Sequence, residues 1–123
     1  MPEQKLVVAI LDQAGLIKMR LISAINDLEN IAAVDLERQD FESIGADVVI
    51  LDIHMLKGQG LALIRQLKSL EWPPLVIVFT LYANSQSQCM CWNAGADYFF
   101  DKAQGFEQLT AVLNNAHKGK RPD

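Results

Sequence analysis

Cysteine is almost missing from this 123-residue chain, and the two that occur, Cys89 and Cys91, stand two apart in a segment whose pattern reads as helical. Side chains at i and i+2 of a helix point different ways, so the pair forms neither a disulfide nor half of a zinc site. One packed and one partly exposed thiol is the expectation, and a redox role is disfavoured. Long apolar runs are missing too. Leu6 to Leu11 and Leu75 to Phe79, the longest of strand type, fall far short of the roughly 20 residues that span a membrane. The first residues also lack the basic-then-apolar layout of a signal peptide. A cytosolic location with no membrane contact is expected. Positive charge is scarce: 15 acidic residues face 11 basic ones, a net charge of −4, and only Lys118, Lys120 and Arg121 cluster. Direct nucleic-acid binding is disfavoured on that balance.

No low-complexity tract, linker or internal repeat interrupts the chain. Its length suits one domain over residues 1–123, with a single core and a polar tail from Lys118 to Asp123. Half the residues are apolar and 21% are charged, the balance of a globular protein.

What is present is a recurring alternation. Apolar runs of strand length lie at Leu6–Leu11, Ile31–Leu36, Val48–Leu51, Leu75–Phe79 and Asp97–Phe100. Each is continuous, which suits strands covered on both faces. Between and after them lie segments of helical period: Leu16, Ile17, Leu21, Ala24, Ile25, Leu28; then Leu61, Ile64, Leu67; then Phe106, Leu109, Val112, Leu113, Ala116. Pro73, Pro74 and the glycines at 45, 58, 60, 95 and 105 read as turn signals. Between the second and third strands only Asp40 to Ile44 remain for a helix, little more than one turn. Strand followed by helix five times over predicts an α/β fold, a doubly wound parallel sheet with right-handed crossovers.

In such a sheet ligands collect outside the carboxyl ends of the strands, where the strand order reverses. Asp12 ends the first strand, Asp52 the third and Thr80 the fourth, while Lys102 follows the fifth. Singly, each has a plain structural reading: a turn or cap residue, or a solvated lysine. If the strand order is 2-1-3-4-5, the four converge on one surface. Two neighbouring carboxylates call for a cation, and magnesium suits oxygen donors that also meet phosphate. With the metal and Lys102 cancelling charge, Asp52 is placed to attack phosphorus, and Thr80 can donate a hydrogen bond to a phosphoryl oxygen.

Three stretches carry a resemblance to a known family. They are Asp47-Val-Val-Ile-Leu-Asp52-Ile-His-Met55-Leu-Lys-Gly-Gln-Gly60, Val76-Ile-Val-Phe-Thr80, and Asn93-Ala-Gly-Ala-Asp-Tyr-Phe-Phe-Asp-Lys102. Together they resemble the receiver domain of two-component response regulators over essentially the whole chain. The resemblance implies a flavodoxin-like (βα)5 fold with five strands in the order 2-1-3-4-5. It implies phosphorylation of Asp52 by a histidine kinase or phosphotransfer protein, with Thr80 and Lys102 holding the phosphoryl group. Magnesium would be bound by Asp12, Asp52 and the backbone carbonyl of His54, with Gln13 a further candidate. Phe99 would be an aromatic switch coupled to Thr80; a packed strand residue is the equal alternative. The domain would be no enzyme beyond promoting its own phosphorylation and dephosphorylation. An output partner or domain would read the altered surface, and a phosphorylation-dependent homodimer is a further expectation; for the unphosphorylated domain a monomer and a dimer through the fourth and fifth helices are both open.

Departures from the family pattern shape two rival readings. Gln13 stands where a second acid is usual, and the other register puts Leu11 in the first acidic place, so a carboxylate is missing either way and metal affinity should fall. Leu56 and Ala103 replace prolines after Met55 and Lys102, and Leu81 replaces a small residue after Thr80, where its bulk would narrow access. The first rival is a phosphorylation-independent binding module on the same fold. The second is a phosphohydrolase with Asp52 as nucleophile, which would need His54 as general acid and a nucleophile on the third strand where the first is usual.

Overall fold

A computed structural model describes residues 6–11, 16–28, 31–35, 45–52, 59–81 and 83–116. Five strands occur among them: β1 (Leu6–Leu11), β2 (Ile31–Asp35), β3 (Val48–Leu51), β4 (Leu75–Thr80) and β5 (Tyr98–Asp101). Four helices accompany them: α1 (Leu16–Asn26), α2 (Gly60–Lys68), α3 (Ser85–Ala94) and α4 (Phe106–Asn115). The strands form one sheet in the order β2-β1-β3-β4-β5, and every neighbouring pair is parallel. The short helix expected within Asp40 to Ile44 and the polar tail from Lys118 lie outside the described residues.

Because successive side chains of a strand point to opposite faces, each continuous apolar run feeds two layers. Ala9, Leu11, Val49, Leu51, Val76 and Val78 pack on one face with Leu63, Ile64 and Leu67 of α2 and Cys91 and Ala94 of α3. Val8, Ile10, Val48, Ile50, Ile77 and Phe79 pack on the other with Leu21 and Ile25 of α1 and Leu109 and Leu113 of α4. The single core expected from chain length is therefore two, divided by the sheet. Each fully buried leucine or isoleucine contributes roughly 1.5–3 kcal/mol of transfer free energy. Across the second layer the Arg20 guanidinium lies 4.5 Å above the Phe106 ring, tying α1 to α4.

Two expectations need correction. β5 is not covered on both faces: it is an edge strand, Tyr98 is exposed and its other residues are half-buried. A tyrosine with an apolar body and a polar tip tolerates that place, whereas aliphatic β3 is buried throughout. Gly60 is no turn residue but the buried first residue of α2.

A small repeat also emerges, against the expectation of none. Gly-Ala-Asp occurs at 45–47 and again at 95–97, each time entering a strand. Both glycines have left-handed backbones, φ 66° at Gly45 and 114° at Gly95, and both alanines are buried. Asp47 Oδ2 accepts the Val7 N–H at 2.8 Å, and Asp97 Oδ2 accepts the Val76 N–H at 2.8 Å. Each carboxylate thereby takes a backbone donor at the start of the neighbouring strand, which would otherwise be left unpaired. Asp97 does more, since Lys68 Nζ reaches its Oδ2 at 2.8 Å and the Pro74 carbonyl at 2.9 Å. The end of α2 and the starts of β4 and β5 are pinned at one point. Glycine is required at 95 on two counts: its positive φ, and the 3.0 Å that would separate a Cβ from Lys68 Cγ.

Candidate functional site

Three neighbouring strands, β3, β4 and β5, bring candidate residues to the carboxyl edge of the sheet. β3 stops at Leu51, and the Asp52 N–H continues the ladder to the Leu11 carbonyl at 3.3 Å, so Asp52 is delivered at the strand tip. β4 stops at Thr80, whose carbonyl accepts the Lys102 N–H at 2.9 Å beyond the Thr80–Asp101 pair. That bond holds the Lys102 backbone at the tip of β5. Neighbouring strands lie roughly 4.8 Å apart, so β5 is about 10 Å from β3 with β4 between, and only a long side chain bridges the gap. Lys102 does so: its Nζ lies 2.9 Å from Asp52 Oδ2.

The pair is largely withdrawn from water, with the side chains of Lys102 and Asp52 only 7% and 11% exposed. A lysine at a strand end is ordinarily solvated, and here the opposite holds. Burying an ammonium without a carboxylate partner would be costly, so its placement and that of Asp52 depend on each other. Thr80 ends the strand between them and is fully buried. Among the described residues no buried side-chain polar atom lacks a partner. The arrangement brings a carboxylate, an ammonium that can follow an oxyanion and a hydroxyl-bearing residue to the tips of β3, β4 and β5, beside the reversal of strand order between β1 and β3.

Of the sequence-derived candidates, the structure thus brings Asp52 and Lys102 into contact and sets Thr80 on the strand between them. Asp12, Gln13 and His54, and with them Met55 and Leu56, lie outside the described residues. Of the expected metal ligands only Asp52 is described, and no cluster of three metal-binding side chains occurs among the described residues. Phe99 is half-buried, pairs with Val78 and packs against the α2–α3 layer. By the two-residue period of the strands, Phe99 and Thr80 belong to the same face of the sheet. Leu81 is 52% exposed, so half its surface lies in solvent. Cys89 is exposed and Cys91 buried, as the helical spacing anticipates, and burial pushes the Cys91 thiol up to about 11.

Sequence reasoning passed over Asp101, whose side chain and carbonyl both accept backbone hydrogens of the turn after Lys102. An aspartate opening a turn was the available signal.

Comparison with known proteins agrees with this geometry. The family model described as the response regulator receiver domain matches residues 4–114. No curated protein matches the chain by sequence. Among solved structures, the signal receiver domain of NarL from Mycobacterium tuberculosis superposes with a TM-score of 0.78 at 18% identity, over 91% of this chain and 96% of that one. The response regulator domain of CheB from Thermotoga maritima gives 0.74 at 18% identity, over 89% and 91%. The manganese-bound form of the response regulator Rcp1 gives 0.69 at 12% identity, over 88% of each chain. At such identities the structural likeness is one of fold. Taken with the family match across most of its length and the strand-tip pair of Asp52 and Lys102, it shows that this chain belongs to the response regulator receiver domains.

Proposed function

We propose that Asp52 is the phosphoacceptor of this receiver domain and that Lys102 and Thr80 bind the transferred phosphoryl group. The observation that carries the reading is the 2.9 Å contact between Lys102 Nζ and Asp52 Oδ2 in a nearly dry strand-tip site. The donor is the phosphorylated imidazole of a histidine kinase or phosphotransfer protein. An Asp52 oxygen attacks phosphorus, an O–P bond forms, the N–P bond breaks, and the imidazole leaves with the electron pair. Little covalent work is asked of the protein, so positioning and charge compensation dominate.

Asp52 supplies hard oxygen donors, and that chemistry fits magnesium; Asp12, the backbone carbonyl of His54 and, as a neutral donor, Gln13 complete the proposed set. Bound there, the ion would neutralise charge on the phosphoryl oxygens. Lys102 exchanges its carboxylate partner for a phosphoryl oxygen, keeping its ammonium paired throughout. Thr80 donates its hydroxyl hydrogen to another phosphoryl oxygen, and Phe99, on the same face of the sheet, repacks in response. Phosphate at Asp52 thereby biases a two-state surface rather than catalysing turnover.

Asp52→Asn removes the nucleophilic oxygen pair while keeping shape. Incubated with acetyl phosphate and magnesium, the wild-type chain gains one acid-labile phosphate and Asp52→Asn gains none. Equal incorporation by the two proteins would overturn the assignment.

A further inference from the structure

The turn that presents Lys102 is organised by the residue just before it. Asp101 Oδ1 accepts the Ala103 N–H at 2.7 Å, and the Asp101 carbonyl accepts the N–H groups of Gln104 at 3.2 Å and Gly105 at 2.6 Å. The Lys102 N–H is itself taken by the Thr80 carbonyl. All four consecutive backbone donors from 102 to 105 are therefore engaged, three of them by one residue. The wrap is tight: a Cβ at Gly105 would lie 2.8 Å from the Asp101 oxygen and 2.9 Å from Phe100 Cβ, so no larger residue enters without displacing backbone.

Ala103 matters to this geometry because it carries an N–H. A proline there would stiffen the turn through its ring and offer no donor. With alanine, the restraint on the backbone after Lys102 comes instead from the Asp101 side chain. An aspartate bonding its backbone two residues on mimics a turn and limits the conformations open to the residue enclosed, which here is Lys102.

We propose that Asp101 is a positioning residue for Lys102: the hydrogen bond its Oδ1 accepts from the Ala103 N–H holds the turn in the form that keeps the Lys102 ammonium on Asp52. The inference rests on the reading of Lys102 as the cation of the phosphoryl site. It requires the acceptor oxygen at the reach of an aspartate and does not require the charge.

Three variants separate these requirements. Asp101→Asn keeps the oxygen and loses the charge, Asp101→Glu keeps the charge but not the reach, and Asp101→Ala keeps neither. The measurements are hydrogen exchange of the Ala103 amide, the NMR signal of the Lys102 ammonium, and the rate of phosphate incorporation from acetyl phosphate. Asp101→Asn should match the wild type in all three. Asp101→Ala and Asp101→Glu should expose the Ala103 amide, shift the Lys102 signal and slow incorporation by about fivefold, the factor that one net hydrogen bond confers on an equilibrium. If Asp101→Glu behaves as the wild type, or Asp101→Asn fails as Asp101→Ala does, charge and not the turn bond is responsible and the proposal falls. An unmoved Lys102 signal in all three variants would sink it as well. A wild-type chain that takes up no phosphate would refute the phosphoacceptor reading alone, because the amide and ammonium signals would still decide the role of Asp101.

Discussion

At the scale of the residue, Lys102 shows how far a sequence reading reaches. Its place after a fifth strand marked it as a candidate, and a solvated lysine was the plain alternative. What decided between them is a 2.9 Å contact across the end of β4, between residues 50 positions apart in the chain. No local pattern encodes that distance. Asp101 was overlooked for a related reason: its chemistry lies in backbone donors, which every residue but proline possesses and which carry no compositional signal. Cys91 was legible in kind but not in degree. Helical spacing separates it from Cys89, and burial then holds its thiol protonated to about pH 11, well above the usual thiol range. A group whose folded pKa is raised leaves stability intact below the unfolded value and removes it as pH climbs between the two. Relative to Cys91→Ala, the folded chain should lose about 2 kcal/mol between pH 9 and pH 11. Denaturant midpoints across that range measure it, and parallel curves for the two proteins would contradict it. At pH 8 a thiol reagent should modify Cys89 rapidly and Cys91 only after unfolding.

At the scale of the element, strand positions were readable because aliphatic runs bounded by turn residues leave few alternatives. Edges were less so. Asp97 was assigned to the fifth strand, yet it lies just before β5 and spends its carboxylate on the Val76 N–H and on Lys68. The repeated Gly-Ala-Asp was visible in the letters at 45–47 and 95–97, and only its shared backbone role gives it meaning. Asp97→Ala leaves the fully buried Val76 without an acceptor for its N–H and Lys68 without its carboxylate. We expect a loss of about 1–3 kcal/mol in urea denaturation. Asp97→Asn should lose less, since an amide oxygen can still accept from Val76. Equal losses would mean that the charge on Lys68, and not the strand-entry hydrogen bond, dominates.

At the scale of the whole molecule, the described helices are unequally anchored. α3 buries only Cys91 and Ala94, carries no charged side chain, and exposes Met90 and Trp92. With so little apolar surface committed to the core, it is, among the described helices, the one expected to exchange its amides soonest and to move most readily when the strand-tip site changes. If phosphoryl capture alters this face, magnesium with beryllofluoride should change the emission of Trp92 and leave that of Trp72, in the turn before β4, unaltered. Single Trp→Phe variants assign the signal, and a response confined to Trp72 would contradict the expectation. The sequence by itself determined that strands and helices alternate, that the strands are apolar enough to lie inside, and that reactive side chains fall at their carboxyl ends. These follow from periodicity and turn chemistry, which act over a few residues. The strand order came with the family resemblance and agrees with the structure, whereas only the tertiary structure decided that Lys102 crosses to Asp52 and that the core divides in two. Those depend on pairing between distant segments and on how each buried charge finds its partner, and such choices are made by the packed chain as a whole.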